Sequence, residues 1–200
     1  MVSARIYIEG GGDSKELHTR CRAAFRGLLE KLGFAGRMPR LVACGGREAT
    51  FDDFKTAHQH ASNDVYVAMW IDSEVPIAEV EQTWAHLNHR DGWDTPGGAV
   101  DEQVLLMTTC METWIVTDRE TVKSHFGPEL QAGALPAAND METRDRESIQ
   151  SALSHATRNC TNAYTKGKRS FEVVARLNPD ALRPHLPSFV RCTRILGEKL

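Results

Sequence analysis

Three carboxylates and a short basic run are the residues through which this sequence could do chemistry. Glu9 follows the apolar stretch Arg5-Ile6-Tyr7-Ile8 and precedes Gly10-Gly11-Gly12. Asp72 closes a longer apolar stretch, Val65 to Ile71, and Glu74 stands two residues on. Carboxylates gathered in one place repel unless a cation neutralises them or one takes up a proton. Oxygen donors with no histidine or cysteine close in sequence suit Mg²⁺ or Mn²⁺ better than zinc. A metal held there would polarise a phosphodiester and generate an attacking hydroxide. Glu112 is a fourth candidate ligand, entered directly after the short apolar run Val104–Met107. Its other reading is an acid in the first turn of a helix, favoured by the macrodipole. Strand-end acids also occur as solvated groups or helix caps, so the metal reading of Glu9 depends on Asp72 and Glu74 reaching the same place.

The basic run is Lys166, Lys168 and Arg169, placed before an expected helix with Ser170 as its N-cap. Free backbone N–H groups and the dipole at a helix start attract phosphate, and cations beside them would grip a nucleic-acid backbone. An ordinary solvated basic loop is the alternative. Other chemistry fails on spacing. Gly10-Gly11-Gly12 lacks the Gly-Lys-Ser/Thr of a phosphate loop and the spacing of a dinucleotide fingerprint. No Gly-x-Ser-x-Gly elbow or Cys–His pair is present. His58 with His60, and His86 with His89, lack a nearby third ligand and read as surface residues. Trp70, Trp84 and Trp114 read as core and loop anchors. Trp93, in the glycine-rich loop 91–98, is the one tryptophan that could lie near a site.

These residues need elements to bring them together. Residues 5–9 read as a strand. Residues 15–32 read as a helix, with Leu17, Cys21, Phe25, Leu28, Leu29 and Leu32 at helical spacing. Ser14 or Asp13 caps it and Gly33 ends it. A second strand, 40–44, is closed by Gly45-Gly46. A second helix, 48–61, carries Phe51 and Phe54 inward. The third strand, 64–72, is apolar on both faces, as a central strand covered on two sides must be. Pro76 opens a helix over 77–88. A fourth strand, 104–107, leads to a helix over 110–116, and helices are expected over 119–126, 145–158, 170–177 and 188–199. Strands alternating with helices imply an α/β fold with a mainly parallel sheet and right-handed crossovers. In such sheets functional groups collect at the carboxyl ends of the strands. Residues 1–127 form the α/β core, and 128–200 a helical extension packed on it within one domain.

Composition bounds the partners. The chain has 200 residues, 41% of them hydrophobic, enough for a sizeable core. A net charge of −3 and a pI near 6.2 argue against a broad basic nucleic-acid surface, leaving room for a local patch. No apolar run approaches the roughly 20 residues of a membrane span, and no signal peptide is visible before the first strand. The five cysteines are scattered and never form a CxxC pair. That suits reduced thiols in a cytoplasm.

Ile6-Tyr7-Ile8-Glu9-Gly10 with Asp13 resembles the first motif of the Toprim domain, and Trp70-Ile71-Asp72-Ser73-Glu74 stands in the place of its Asp-x-Asp motif. The chain as a whole is similar to small Toprim-like proteins related to RloB and to the OLD-type Toprim nucleases that partner ABC-type ATPases in antiphage defence loci. Cys110-Met111-Glu112-Thr113-Trp114, Lys166 to Glu172 and Ala175 to Pro179 extend the resemblance over most of the chain. It implies a Toprim-like fold, with Glu9 as acid–base residue or metal ligand and Asp72 as a ligand of Mg²⁺. It also implies a nuclease toxin or effector acting on RNA or DNA, working with an ABC-type ATPase. A homodimer is left open. The second acid of the pair departs from the pattern, since Glu74 is one methylene longer than aspartate. Three functions follow as expectations: a metal-dependent nuclease, a non-catalytic regulatory module docking to an ATPase, and a phosphoryl-transfer enzyme working on a small ester in a closed pocket.

Overall fold

The computed structural model describes residues 3–62 and 64–200. Four strands, β1 (Ser3–Glu9), β2 (Arg40–Gly45), β3 (Val65–Asp72) and β4 (Val104–Met107), form one parallel sheet in the order β2-β1-β3-β4. The expected parallel α/β architecture is present, and it is consistent with a Toprim-like fold. The order explains where a site can form. The chain leaves β1 to one side to build β2, then crosses back to build β3 on the other. The helices therefore diverge between β1 and β3, and a crevice opens at their carboxyl ends. Glu9 and Asp72 terminate those two strands.

β3 fills the central role its sequence implies. Val67, Met69 and Ile71 face one layer with Phe51, Phe54, Trp84 and Leu87, while Tyr66, Ala68 and Trp70 face the other. The first layer is α2 (Arg47–Gln59) and α3 (Thr83–Asp91). The second, larger layer starts with α1 (Lys15–Lys31) and α4 (Met111–Thr117). It continues through α5 (Arg119–Phe126), α6 (Arg146–Thr157), α7 (Lys168–Val174), α8 (Pro179–Leu182) and α9 (Pro187–Lys199). Its centre is an aromatic chain: Phe25 meets Trp70 at 5.0 Å between centroids, Trp70 meets Trp114 at 5.8 Å, and Trp114 meets Phe189 at 5.0 Å, all edge-on. Edge-to-face pairs match the negative ring face to the positive edge. The cluster crosses residue 127, joining the sheet to the C-terminal helices. No helix among the described residues is long and apolar enough to cross a membrane.

α8 was not expected, and two helix starts differ from expectation in ways that bear on the site. The helix expected over 77–88 starts only at Thr83. Its N-terminus is capped from a distance: the Asp101 carboxylate accepts from the Trp84 backbone N–H at 2.8 Å and from the Thr83 hydroxyl at 3.0 Å. Glu81 is drawn away to Arg191 and Arg194, at 3.0 and 2.9 Å. Tertiary partners thus hold residues 75–82 out of a helix that Pro76 could have opened. The helix expected over 170–177 is α7, which starts at Lys168. Ser170 is therefore not its N-cap. It lies in the first turn, where its hydroxyl accepts from the Gly167 N–H at 2.9 Å and donates to the Gly167 carbonyl at 3.0 Å.

Candidate metal centre

Glu9 is positioned by an irregularity in β1. The register with β2 shifts between Ile8 and Glu9, and the pairing with β3 ends at Ile8 opposite Trp70. Beyond that point the Glu9 side chain takes over from the backbone, its Oε2 accepting the Asp72 N–H at 3.2 Å. Gly10 and Gly45 then form an antiparallel bridge through N–H···O bonds of 2.8 and 3.1 Å, which turns both chains away from the strand ends. Gly45, at φ +84°, has to be glycine: a Cβ there would stand 2.5 Å from the Gly12 carbonyl oxygen.

Asp72 is 7% exposed. Its Oδ1 accepts the Met111 N–H at 2.8 Å, tying it to the start of α4. The chain then continues alongside β4, with Ser73 N–H donating to Met107 and Glu74 N–H to Thr109. At Glu74 it enters the left-handed region, at φ 70°. A non-glycine residue there costs about 1–2 kcal/mol, and such strain gathers at functional sites. The turn folds the Glu74 side chain back toward Asp72. The result is that Glu9, Asp72 and Glu74 each offer a carboxylate oxygen, and these three atoms lie within 4.8 Å of one another.

Burial pushes the Asp72 carboxyl well above the usual carboxylate range. The charges of Glu9 and Glu112 add to this, and Arg146 and Lys166 oppose it. Three arginines answer the negative charge directly. Arg47 Nη1 lies 3.5 Å from Glu9 Oε2 and donates to the Asp72 carbonyl at 2.5 Å. Arg146 contacts Glu74 and lies 3.9 Å from Asp72 Oδ2. Arg90 lies 3.6 Å from Glu74. Arg47 is itself fixed by a two-pronged ion pair with Asp91, at 2.7 and 3.1 Å, and by the face of Trp93, 5.1 Å from its guanidinium carbon. Trp93 therefore does lie near the site, acting through Arg47, while its own ring stacks on Phe51 at 4.2 Å.

The family model described as "Domain of unknown function (DUF4276)" matches residues 8–196. The chain belongs to the DUF4276 family. No curated protein and no solved structure matches it. The span shared with the DUF4276 model runs from Ile8 to Leu196 and so includes all three acids, Glu112 and the basic run.

The donor set of this DUF4276 chain fits a small hard cation. Mg²⁺ binds oxygens at 2.0–2.1 Å, so opposite ligands stand about 4.2 Å apart. Adjacent ligands stand about 2.9 Å apart, so three carboxylate oxygens within 4.8 Å of one another would draw together around one ion. Glu112 is arranged differently. It is 1% exposed, and its two oxygens accept from the Tyr164 hydroxyl and from Gln150 Nε2, the latter at 3.1 Å. It lines the same cavity as Glu9 and Asp72, outside the group of three. The basic run divides: Lys166 lines that cavity, Arg169 pairs with Glu172 at 2.8 Å, and Lys168 is exposed. Of the histidines, His60 and His89 are exposed. His58 and His86 are half-buried and bonded to the carbonyls of Gly97 and Ser73.

Sequence reasoning missed the arginines. Arg47 had a usable signal: it follows Gly45-Gly46, so the strand-end rule that selects Glu9 also selects it. Arg90 and Arg146 had none, because the helices carrying them reach the site only through tertiary packing.

Proposed function

We propose that this DUF4276 chain is a Mg²⁺-dependent nuclease, with Mn²⁺ as an alternative ion, hydrolysing phosphodiester bonds in RNA or DNA. The observation that carries the reading is the convergence of Glu9, Asp72 and Glu74 at the carboxyl edge of the sheet. Glu9, Asp72 and Glu74 would hold the ion, which when bound supplies Lewis acidity to the phosphoryl group. The remaining work falls to the chain. Glu9 Oε2 is engaged with Asp72 N–H and Arg47, which leaves Oε1 either to bind the ion or to take the proton of the attacking water. Arg47 fixes that carboxylate, being clamped in turn by Asp91 and Trp93. Lys166 at the cavity, with Arg146 released from Glu74, would meet the phosphate charge, and Lys168 and Arg169 would steer the strand toward it. The Toprim resemblance supports an effector role in antiphage defence with an ABC-type ATPase partner. Five free thiols among the described residues suit a cytoplasmic setting. The test is cleavage of RNA and DNA substrates with and without Mg²⁺ by the wild type and by Glu9→Ala. Cleavage by the variant at the wild-type rate would remove Glu9 from its role.

One observation favours a second reading, a non-catalytic module that docks to the ATPase. Each acid of the group already has an arginine partner, so charge balance does not require a metal. Calorimetric titration with Mg²⁺ and Mn²⁺ separates the two readings. Absence of binding at millimolar metal would select the module.

A further inference from the structure

Beside the three acids lies a cavity of about 450 Å³ whose lining is mixed in an instructive way. Glu9, Asp72, Glu112 and Lys166 supply charge, while Leu17, Met107, Met111 and Phe171 supply an apolar surface. A phosphate and its metal have no use for thioether, leucine and phenyl groups. The flat ring of a base carried on the adjoining sugar does. We propose that this cavity is a subsite for one unpaired nucleobase, so that the bond cut lies in a single-stranded or looped segment. This rests on the nuclease reading above and names its substrate class.

Three arguments support it. First, size: a cavity of about 450 Å³ lies in the range that holds one small molecule. A paired duplex cannot enter, whereas one nucleotide can. Second, access: in a duplex both faces of a base are stacked and its edge is paired, so a concave apolar site reaches a base only when it is splayed out. Third, charge: with a net charge of −3, the chain has no broad field to gather phosphates, so contact with bases has to carry much of the affinity. Close packing defines one side of the cavity: a Cβ on Gly10, at φ +145°, would stand 3.1 Å from the Phe171 ring, which would have to shift to admit it.

The experiment measures binding by fluorescence polarisation, using the wild type with a chelator in place of Mg²⁺ so that the probe is not cut. The probes are a short labelled single strand as RNA and as DNA, the same strand made abasic, and its duplex. Single strands are expected to bind roughly tenfold more tightly than the abasic strand or the duplex. Adding Leu17→Trp, which fills the cavity from α1, is expected to erase that preference without lowering the melting temperature. Equal binding of the abasic strand or the duplex overturns the base subsite. A free nucleoside monophosphate that competes as tightly as the strand overturns the assignment to a polymer. Mg²⁺-dependent cleavage by the wild type reports separately on the nuclease reading. Cleavage with no base preference sinks the subsite alone, and base-dependent binding with no cleavage sinks the nuclease alone.

Discussion

At the scale of single residues, the site is a contest between two kinds of cation. Arg146 contacts Glu74 and lies 3.9 Å from Asp72, so its guanidinium competes with any ion for the same oxygens. Its side chain is 23% exposed, so it can swing toward solvent when displaced. Removing it lets a divalent ion enter without breaking the Arg146–Glu74 pair. Arg146→Ala is therefore expected to tighten Mg²⁺ binding by several-fold to roughly tenfold in a calorimetric titration, since each 1.4 kcal/mol is a factor of ten. Unchanged or weaker binding would show that Arg146 is not a competitor. Glu9 and Asp72 could be picked out of the sequence because they end apolar strands, and strand ends of a parallel sheet converge. Their arginine partners could not, except Arg47. An ion-pairing residue on a surface helix carries no periodic signal, and its role is created by the packing that delivers it.

At the scale of elements, two turns position the acids and the arginine that faces them. The first is the bridge between Gly10 and Gly45. Gly45→Ala would place a methyl 2.5 Å from a backbone oxygen at a left-handed φ, whereas the neighbouring Gly46 has nothing within 4 Å of its Cβ position and a φ of −84°. Thermal denaturation is expected to show a loss of about 2–4 kcal/mol for Gly45→Ala and a change within about 1 kcal/mol for Gly46→Ala. Equal effects would mean that the bridge is not tightly packed. The second turn is the 3₁₀ segment Met141–Thr143 that leads into α6 and hence to Arg146. Glu142 anchors it by accepting from the Ser188 N–H at 3.1 Å, at the start of α9. Burial pushes the Glu142 carboxyl up from 4.5 to about 7, despite the bonds from Ser188 that pull it down. Between those two values the folded protein keeps a proton that the unfolded chain has lost. Stability should therefore fall, by an amount of order 3 kcal/mol, as pH rises from 4.5 to about 7, and level off above that. Melting temperatures across that range should show the slope in the wild type and a flatter line in Glu142→Gln. A wild-type profile that is flat or rising there would contradict the assignment. β3 and all four residues of β4 were legible in the sequence as runs apolar on both faces, and β1 as an alternating stretch stopped by glycines. The start of α3 was not, since the Asp101 cap and the pull on Glu81 are tertiary effects without a local signature.

At the scale of the whole molecule, the question is whether the α/β half can stand without the C-terminal helices. The sequence suggested a soft boundary near 127, where strands give way to helices. The packing gives that boundary little independence. α9 lies against β4, α7 lies against α1, and the Trp70–Trp114 pair is completed by Phe189. Arg191, 3% exposed on α9, donates to the carbonyls of Val104 and Asp101 at 2.8 Å each, so the β4 edge is closed by a residue from the far end of the chain. Ile149, Leu153, Val173, Phe189, Ile195 and Leu196 are all fully buried. At roughly 1.5–3 kcal/mol each, those six side chains account for about 9–18 kcal/mol of burial. The total stability of a domain is only about 5–15 kcal/mol. A chain cut after Gly127 would lose that burial and expose the Phe25, Trp70 and Trp114 surface. It is expected to show no cooperative thermal transition and to bind a hydrophobic dye, whereas the full chain should melt in a single step by circular dichroism and calorimetry alike. A sharp, reversible transition in the shortened chain would mean that the sheet and its first helices fold by themselves. The Arg146 and Lys166 side of the site would then be an attachment rather than part of the fold that makes Glu9, Asp72 and Glu74 converge.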